Sequence, residues 1–213
     1  MVKTPVVKEG YIYIAVLGLV TLIAALTLNI YWAILPGVLM TFVTFFFRNP
    51  KRAVPEDDDL IMSPADGKVM SVCEVYDDQF LNEQGIKVTI FLSVFDVHVN
   101  RSPINGEIKF QQYTCGRFKP AYKKSATCEN ERHAIGLENG KMRVLCTQVA
   151  GIIARRIVSW VTLGSVLKQG ERYGLIKFGS CTELIVPTTV DILVKEGDRV
   201  KGGITVIGRL KEK

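Results

Sequence analysis

The sequence predicts a mostly β domain, a sandwich-like barrel of related hairpins, carried behind an N-terminal transmembrane helical hairpin. Three observations carry that expectation. No charged residue occurs from Tyr11 to Phe47. Beyond the acidic stretch Pro55-Glu56-Asp57-Asp58-Asp59 the chain turns to short β-branched runs separated by turn residues. Three of its turns share a similar Gly-containing pattern. At 213 residues the chain suffices for one domain with an appendage and can bury a sizeable core.

One straight helix over the charge-free run would extend roughly 55 Å at about 1.5 Å per residue, well beyond a hydrocarbon core of about 30 Å. Two crossings fit better, at about residues 11–28 and 31–47, with Asn29 and the Tyr31-Trp32 pair at the far interface. Lys3 and Lys8 precede the first span, and Arg48, Lys51 and Arg52 follow the second. The positive-inside rule then puts both ends on the cytoplasmic face of the cell membrane. Residues 1–52 read as the anchor and 53–213 as the domain it carries. A signal peptide fits less well, because the run is too long and lacks a small-residue cleavage site. Pro36-Gly37 leaves a shallow, re-entrant second segment as the alternative.

Strands are expected at 69–76, 86–94, 106–113, 134–138, 142–149, 175–178, 182–185 and 204–210, with 151–156 as a further candidate. Residues 117–124 and 164–171 read as irregular or briefly helical. The formal charge of +6 and the pI near 9.1 call for an anionic partner; beside a membrane segment that means an acidic membrane surface or a phosphorylated ligand, not nucleic acid. Five cysteines, Cys73, Cys115, Cys128, Cys146 and Cys181, are odd in number and contain no Cys-x-x-Cys pair, so neither a zinc site nor a disulfide framework is expected. With only His98 and His133 in the chain, a metal-dependent hydrolase is poorly supported. The turns at Asp66-Gly67-Lys68-Val69, Asn105-Gly106-Glu107-Ile108 and Glu196-Gly197-Asp198-Arg199 resemble the turn-and-strand units of biotinyl and lipoyl carrier domains. A membrane-anchored carrier or binding domain is the alternative function, although no Met-Lys-Met tip is present.

Three segments carry the chemistry: Ser63-Pro64-Ala65-Asp66-Gly67-Lys68, then Asp96-Val97-His98-Val99-Asn100-Arg101-Ser102-Pro103, then Tyr173-Gly174-Leu175-Ile176-Lys177-Phe178-Gly179-Ser180-Cys181. Taken singly, a serine after glycine and an aspartate before glycine are ordinary turn residues, and His98 alternates like a strand residue. In this order, and with Phe46-Phe47-Arg48-Asn49-Pro50 before them and Asn130-Glu131-Arg132 between, they resemble the short, archaeal-type members of the phosphatidylserine decarboxylase family. The resemblance runs from about Phe46 to the C-terminus.

The resemblance implies that the chain cuts itself between Gly179 and Ser180 and that Ser180 becomes a pyruvoyl cofactor. Ser180 Oγ would attack the Gly179 carbonyl, replacing the amide with an ester; elimination would then break the chain and leave dehydroalanine, which hydrolyses to the pyruvoyl group and ammonia. A serine hydroxyl needs a base to act as a nucleophile, and His98, with Asp66 orienting or charging its imidazole, is the candidate. The products would be a β chain, residues 1–179, and an α chain, residues 180–213, which remain associated. The pyruvoyl ketone would form a Schiff base with the serine amine of phosphatidylserine, or of an archaeal serine ether phospholipid, and accept the electrons released with carbon dioxide. His98 would return a proton, and the ethanolamine phospholipid would leave.

Two departures from the family's pattern matter, the first from its longer bacterial members and the second from its short ones. Arg101 stands where those carry a second histidine, so the base for self-cleavage stays open between His98 and another group. Cys181 stands where the short members often carry arginine. Candidates for holding the phosphodiester are Arg48, Lys51 and Arg52 at the end of the anchor, Arg101, and the cluster of Arg117, Lys119, Lys123 and Lys124. The partners expected are therefore the serine phospholipid, the membrane and the two chains of one precursor; a homo-oligomer stays open.

Overall fold

The charge-free run folds as two helices, α1 (Lys8–Thr27) and α2 (Ile30–Phe46). Between them Asn29 breaks the helical path and caps α2, its side-chain oxygen accepting the Tyr31 N–H at 3.0 Å. Pro36 lies within α2. Threonine hydroxyls turn back onto the helix, Thr41 to the Gly37 carbonyl at 3.0 Å and Thr44 to that of Met40 at 2.8 Å, which satisfies them in apolar surroundings. At 20 residues, α1 spans about 30 Å and is long and apolar enough to cross a membrane; α2, at 17, is shorter. Leu26, Tyr31, Trp32 and Leu35 are exposed, an apolar surface of the kind water disfavours. The start of α1 meets the end of α2: the Val7 N–H donates to the Phe47 carbonyl at 3.0 Å, and Gly10 leaves room for Phe47, whose Cβ would lie 2.7 Å from a Cβ at residue 10. The helices are therefore antiparallel, with both outer ends on one side.

The computed structural model describes residues 4–55, 57–116, 129–151, 156–177 and 180–211, and it divides the chain into two units, Met1–Lys51 and Arg52–Lys213. The second unit is mostly β. In chain order its strands are β1 (Leu60–Met62), β2 (Gly67–Asp77), β3 (Glu83–Leu92), β4 (Val99–Arg101), β5 (Gly106–Thr114), β6 (Arg132–Glu138), β7 (Arg143–Ala150), β8 (Ile157–Ser159), β9 (Val166–Leu167), β10 (Arg172–Ile176), β11 (Ser180–Pro187), β12 (Val190–Ile192), β13 (Arg199–Val200) and β14 (Val206–Leu210). An eight-stranded antiparallel sheet runs β13-β2-β3-β11-β7-β6-β5-β9; two three-stranded sheets run β4-β10-β8 and β1-β14-β12. Alternate residues of the large sheet, among them Val69, Val88, Ile90, Ile135, Val144, Leu184 and Val186, join Ile61, Tyr173 and Ile207 in the main core.

Each long predicted run coincides with a strand, because β-branched residues alternating with polar ones suit a half-buried pleat. The short strands β1, β4, β8, β9, β12 and β13 go unpredicted, since two or three residues show no alternation; β9 falls inside a stretch expected to be irregular. Residues 117–128 and 152–155 lie outside the described residues, and with them the expected irregular segment at 117–124 and most of the candidate strand at 151–156.

Gly67 opens β2 against the backbone of β3. A Cβ there would lie 2.1 Å from the Phe91 carbonyl oxygen and 2.9 Å from Ile90 Cγ2. The carbonyl belongs to the sheet ladder and cannot turn aside, so Gly67→Ala is expected to cost about 3 kcal/mol. A lowered thermal midpoint of the full chain in detergent micelles measures it.

Candidate active site

The three chemistry-bearing segments converge at one end of the large sheet. Phe91 of β3 pairs with Lys68 of β2 on one side and with Cys181 of β11 on the other. Both outer strands run antiparallel to β3, so Asp66-Gly67 and Ser180 reach the same end, two strand spacings or roughly 10 Å apart. The chain leaving β3 at Leu92 turns through Ser93 to Asp96 and delivers His98 just ahead of β4. That turn is fixed by Asp96, whose carboxylate accepts the Ser93 N–H at 2.9 Å and the Arg199 guanidinium at 2.9 Å.

Ser180 is fully buried at the first position of β11, flanked in register by Leu92 and Ala150. Its Oγ is buried and finds no hydrogen-bond partner among the described residues. A buried, unsatisfied hydroxyl costs free energy and calls for an explanation beyond packing. Ser180 and Thr182 share a strand face with Leu184 and Val186 of the main core, whereas Cys181 lies on the opposite face with Val149 and Phe91. Burial pushes the Cys181 thiol up, so it stays protonated and inert. Ala150, across from Ser180, is itself held by the expected Asn130-Glu131 segment: Asn130 donates to its carbonyl at 2.7 Å, and its N–H donates to the Glu131 carbonyl at 2.9 Å.

His98 is also fully buried. Its Nδ1 lies 3.0 Å from the Asp96 carbonyl oxygen, which can only accept, so Nδ1 carries the proton and Nε2 the lone pair in the neutral ring. The Ile176 N–H donates to the His98 carbonyl at 3.2 Å, which ties the histidine to the strand leading into Gly179-Ser180. Two residues on, the Asn100 side chain donates to Thr182 Oγ1 at 2.9 Å. The polar face of β4 is thereby laid against the Ser180 face of β11.

Asp66 stands elsewhere in this group than the sequence suggests. One oxygen accepts from Arg52 at 2.7 Å, the other from the Gly202 N–H at 2.8 Å, while the Nδ1 side of His98 is taken by the Asp96 carbonyl. Arg52 pairs with Asp66, and Arg101 lies close enough to feel Arg52, Asp66 and Arg172. Arg101 and Arg172 are register partners on β4 and β10; Arg101 donates to the Gly170 carbonyl at 2.9 Å and packs its Cδ 3.1 Å from where a Cβ on Gly203 would be. Burial, with Arg52 and Arg172 adding to it against the opposing pull of Asp66, brings the Arg101 guanidinium down to about 10. It remains charged at neutral pH. A cluster of three arginines thus forms with one carboxylate among them.

Of the other expected residues, Arg48 lies at the end of α2 in the first unit, donating to the Phe45 carbonyl at 2.9 Å with its guanidinium 3.8 Å from the Phe45 ring centre. Gly179, Arg117, Lys119, Lys123, Lys124 and Cys128 lie outside the described residues. The sequence alone misses Asp96, Asn100, Gln148, Arg172 and Thr182 as members of this group, since each reads there as an ordinary strand or turn residue. Among the described residues no three His, Cys, Asp or Glu side chains gather as metal ligands. A cleft of about 220 Å³, lined by Lys87, Arg132, Thr147 and Glu183, opens on the Cys181 side of β11, away from Ser180.

Comparison with known proteins places the chain beside characterised relatives by sequence. The family model described as phosphatidylserine decarboxylase matches residues 39–208. A phosphatidylserine decarboxylase proenzyme of Carboxydothermus hydrogenoformans is 50% identical over 212 residues, 98% of this chain and 99% of that one. Proteins of the same name from Symbiobacterium thermophilum and Geotalea uraniireducens are 45% and 40% identical, the first over 99% of this chain and 98% of its own, the second over 98% of each.

Proposed function

The chain belongs to the phosphatidylserine decarboxylase family, and on that footing we propose that it removes carbon dioxide from phosphatidylserine with a pyruvoyl group made from its own Ser180. It is a decarboxylase made as a proenzyme. The observation that best supports the pyruvoyl origin is the Ser180 hydroxyl, buried at a strand start with no hydrogen-bond partner among the described residues. Such a group is free to attack the preceding carbonyl. The residues fit the cofactor, which would stay anchored as the first residue of β11 between β3 and β7.

In self-cleavage, Ser180 Oγ forms an ester with the Gly179 carbonyl carbon as the Gly179–Ser180 amide bond breaks, and His98 Nε2 takes the hydroxyl proton and passes it to the leaving nitrogen. Loss of the Ser180 α-proton then expels the Gly179 carboxylate. Hydrolysis of the resulting enamine releases ammonia. His98 is suited to the proton steps because the Asp96 carbonyl fixes its tautomer. When present, the pyruvoyl group supplies a ketone that condenses with the substrate amine and takes up the electron pair left by carbon dioxide. His98 then delivers a proton to the substrate α-carbon. Chains 1–179 and 180–213 stay together through the pairing of β11 with β3 and β7.

Asp66 contributes chiefly by holding Arg52, and Arg52, Arg101 and Arg172 receive the phosphodiester, the local excess of positive charge favouring an anionic head group. Arg48, Arg117 and Lys119 serve as further contacts to anionic head groups. The two helices hold the enzyme in the membrane as a hairpin with the β unit on the cytoplasmic side, in keeping with the antiparallel pairing of α1 and α2 and the flanking lysines and arginines.

Release of labelled carbon dioxide from phosphatidylserine carrying the label in its serine carboxyl tests the activity. Arg101→Gln should raise KM for this lipid about tenfold with kcat nearly unchanged, the loss expected for one charged hydrogen bond used equally in ground and transition states. An unchanged KM would remove Arg101 from the substrate site.

A further inference from the structure

A buried chain of polar side chains crosses the large sheet and ends beside Ser180. Gln111 Nε2 is 3.2 Å from the Val161 carbonyl oxygen and 2.9 Å from His133 Nε2. His133 Nδ1 is 3.1 Å from Gln148 Oε1, Gln148 Nε2 is 2.8 Å from Asn100 Oδ1, and Asn100 Nδ2 is 2.9 Å from Thr182 Oγ1 and 3.4 Å from the Pro64 carbonyl oxygen.

The direction of this chain follows from chemistry alone. Val161 and Pro64 offer carbonyl oxygens, which only accept, so the Gln111 and Asn100 atoms facing them are amide nitrogens. Gln111 therefore donates to His133 Nε2, His133 carries its proton on Nδ1 and donates to Gln148, Gln148 donates to Asn100, and Asn100 donates to Thr182. Burial lowers the proton affinity of His133, which keeps the ring neutral, as this relay requires. Gly174 makes room for it: a Cβ there would lie 2.9 Å from Gln148 Nε2.

The amide protons of Gln111 and Asn100 are all used along this chain, which ends at Thr182, whose oxygen receives and whose own O–H proton finds no acceptor among the described residues. Thr182 is fully buried, on the same face of β11 as Ser180 and two residues along, about 7 Å away. A serine head group attached at position 180 spans that distance.

We propose that Thr182 is a substrate-contacting hydrogen-bond donor that receives an anionic oxygen of the lipid head group, and that Asn100, Gln148, His133 and Gln111 are positioning residues that keep its proton turned to the substrate. The inference rests on the decarboxylase function above and names a group that binds its substrate. The acceptor is a serine carboxylate or a phosphodiester oxygen, which present the same chemistry to a hydroxyl.

The test uses the full chain in mixed micelles, with rates expressed per ketone so that unprocessed protein is not counted. Thr182→Val should lower kcat/KM for phosphatidylserine about 30-fold, the loss of a hydrogen bond to a charged acceptor, and Thr182→Ser should restore most of it. Gln148→Met should lower kcat/KM as well, yet add little in the Thr182→Val background, because both act through one proton. Calorimetric binding of the product phosphatidylethanolamine locates the acceptor: weakened binding in Thr182→Val assigns the phosphodiester, whereas unchanged binding with raised KM assigns the carboxylate. The inference is overturned if Thr182→Val matches the parent, if Thr182→Ser is as impaired as Thr182→Val, or if the Thr182 and Gln148 losses multiply. A parent protein that releases no carbon dioxide would instead overturn the underlying function.

Discussion

Ser180→Ala should yield an uncut chain of 213 residues with no ketone and with decarboxylation reduced at least about 10⁴-fold. The substitution removes the nucleophile and the atom destined to become the cofactor, and little else. Ser180 Oγ makes no hydrogen bond among the described residues, so its loss leaves none of them unsatisfied, and the first residue of β11 keeps its pairing with Leu92 and Ala150. Stability should therefore stay level or rise slightly while processing stops. Gel mobility, intact mass and thermal midpoint read these effects together. Efficient cutting of the alanine protein would eliminate Ser180 as nucleophile.

His98→Asn is expected to produce the second largest effect, slowing self-cleavage about 10²- to 10⁴-fold, the usual worth of a positioned general base. Asparagine is the informative replacement because its amide nitrogen can take over the bond from Nδ1 to the Asp96 carbonyl while nothing replaces Nε2. A time course of chain cleavage after purification measures the first role. For the fraction that does process, kcat per ketone measures the second, protonation of the substrate carbon. Equal processing rates in the parent and His98→Asn proteins would pass the role of base to another group.

Ser180, His98 and Asp66 stand out in the sequence only through the family resemblance of their three segments taken together; singly each reads as an ordinary turn or strand residue. Their convergence is a matter of register: Lys68, Phe91 and Cys181 align across three strands, and no local pattern encodes that. The partner of Asp66 is less legible. Arg52 follows a membrane segment and reads as a head-group cation, yet in the folded β unit it binds the Asp66 carboxylate. Asn100, Gln148 and Thr182 lie on three separate strands with no local pattern that links them, and only the pairing of β11 with β7 and the hydrogen bonds of Asn100 to both bring them into one chain. The helices pose the opposite case. A long uncharged run announces itself by composition, and the structure adds the Asn29 cap and the close packing of Gly10 on Phe47.

The most direct test of the central claim is the intact mass of the purified protein under denaturing conditions, with and without a ketone-directed hydrazide. Two species are predicted, corresponding to residues 1–179 and 180–213, with only the smaller gaining the hydrazide mass and lacking a free N-terminal amine. A single chain, unmodified by the hydrazide and yet able to release carbon dioxide from phosphatidylserine, would contradict it.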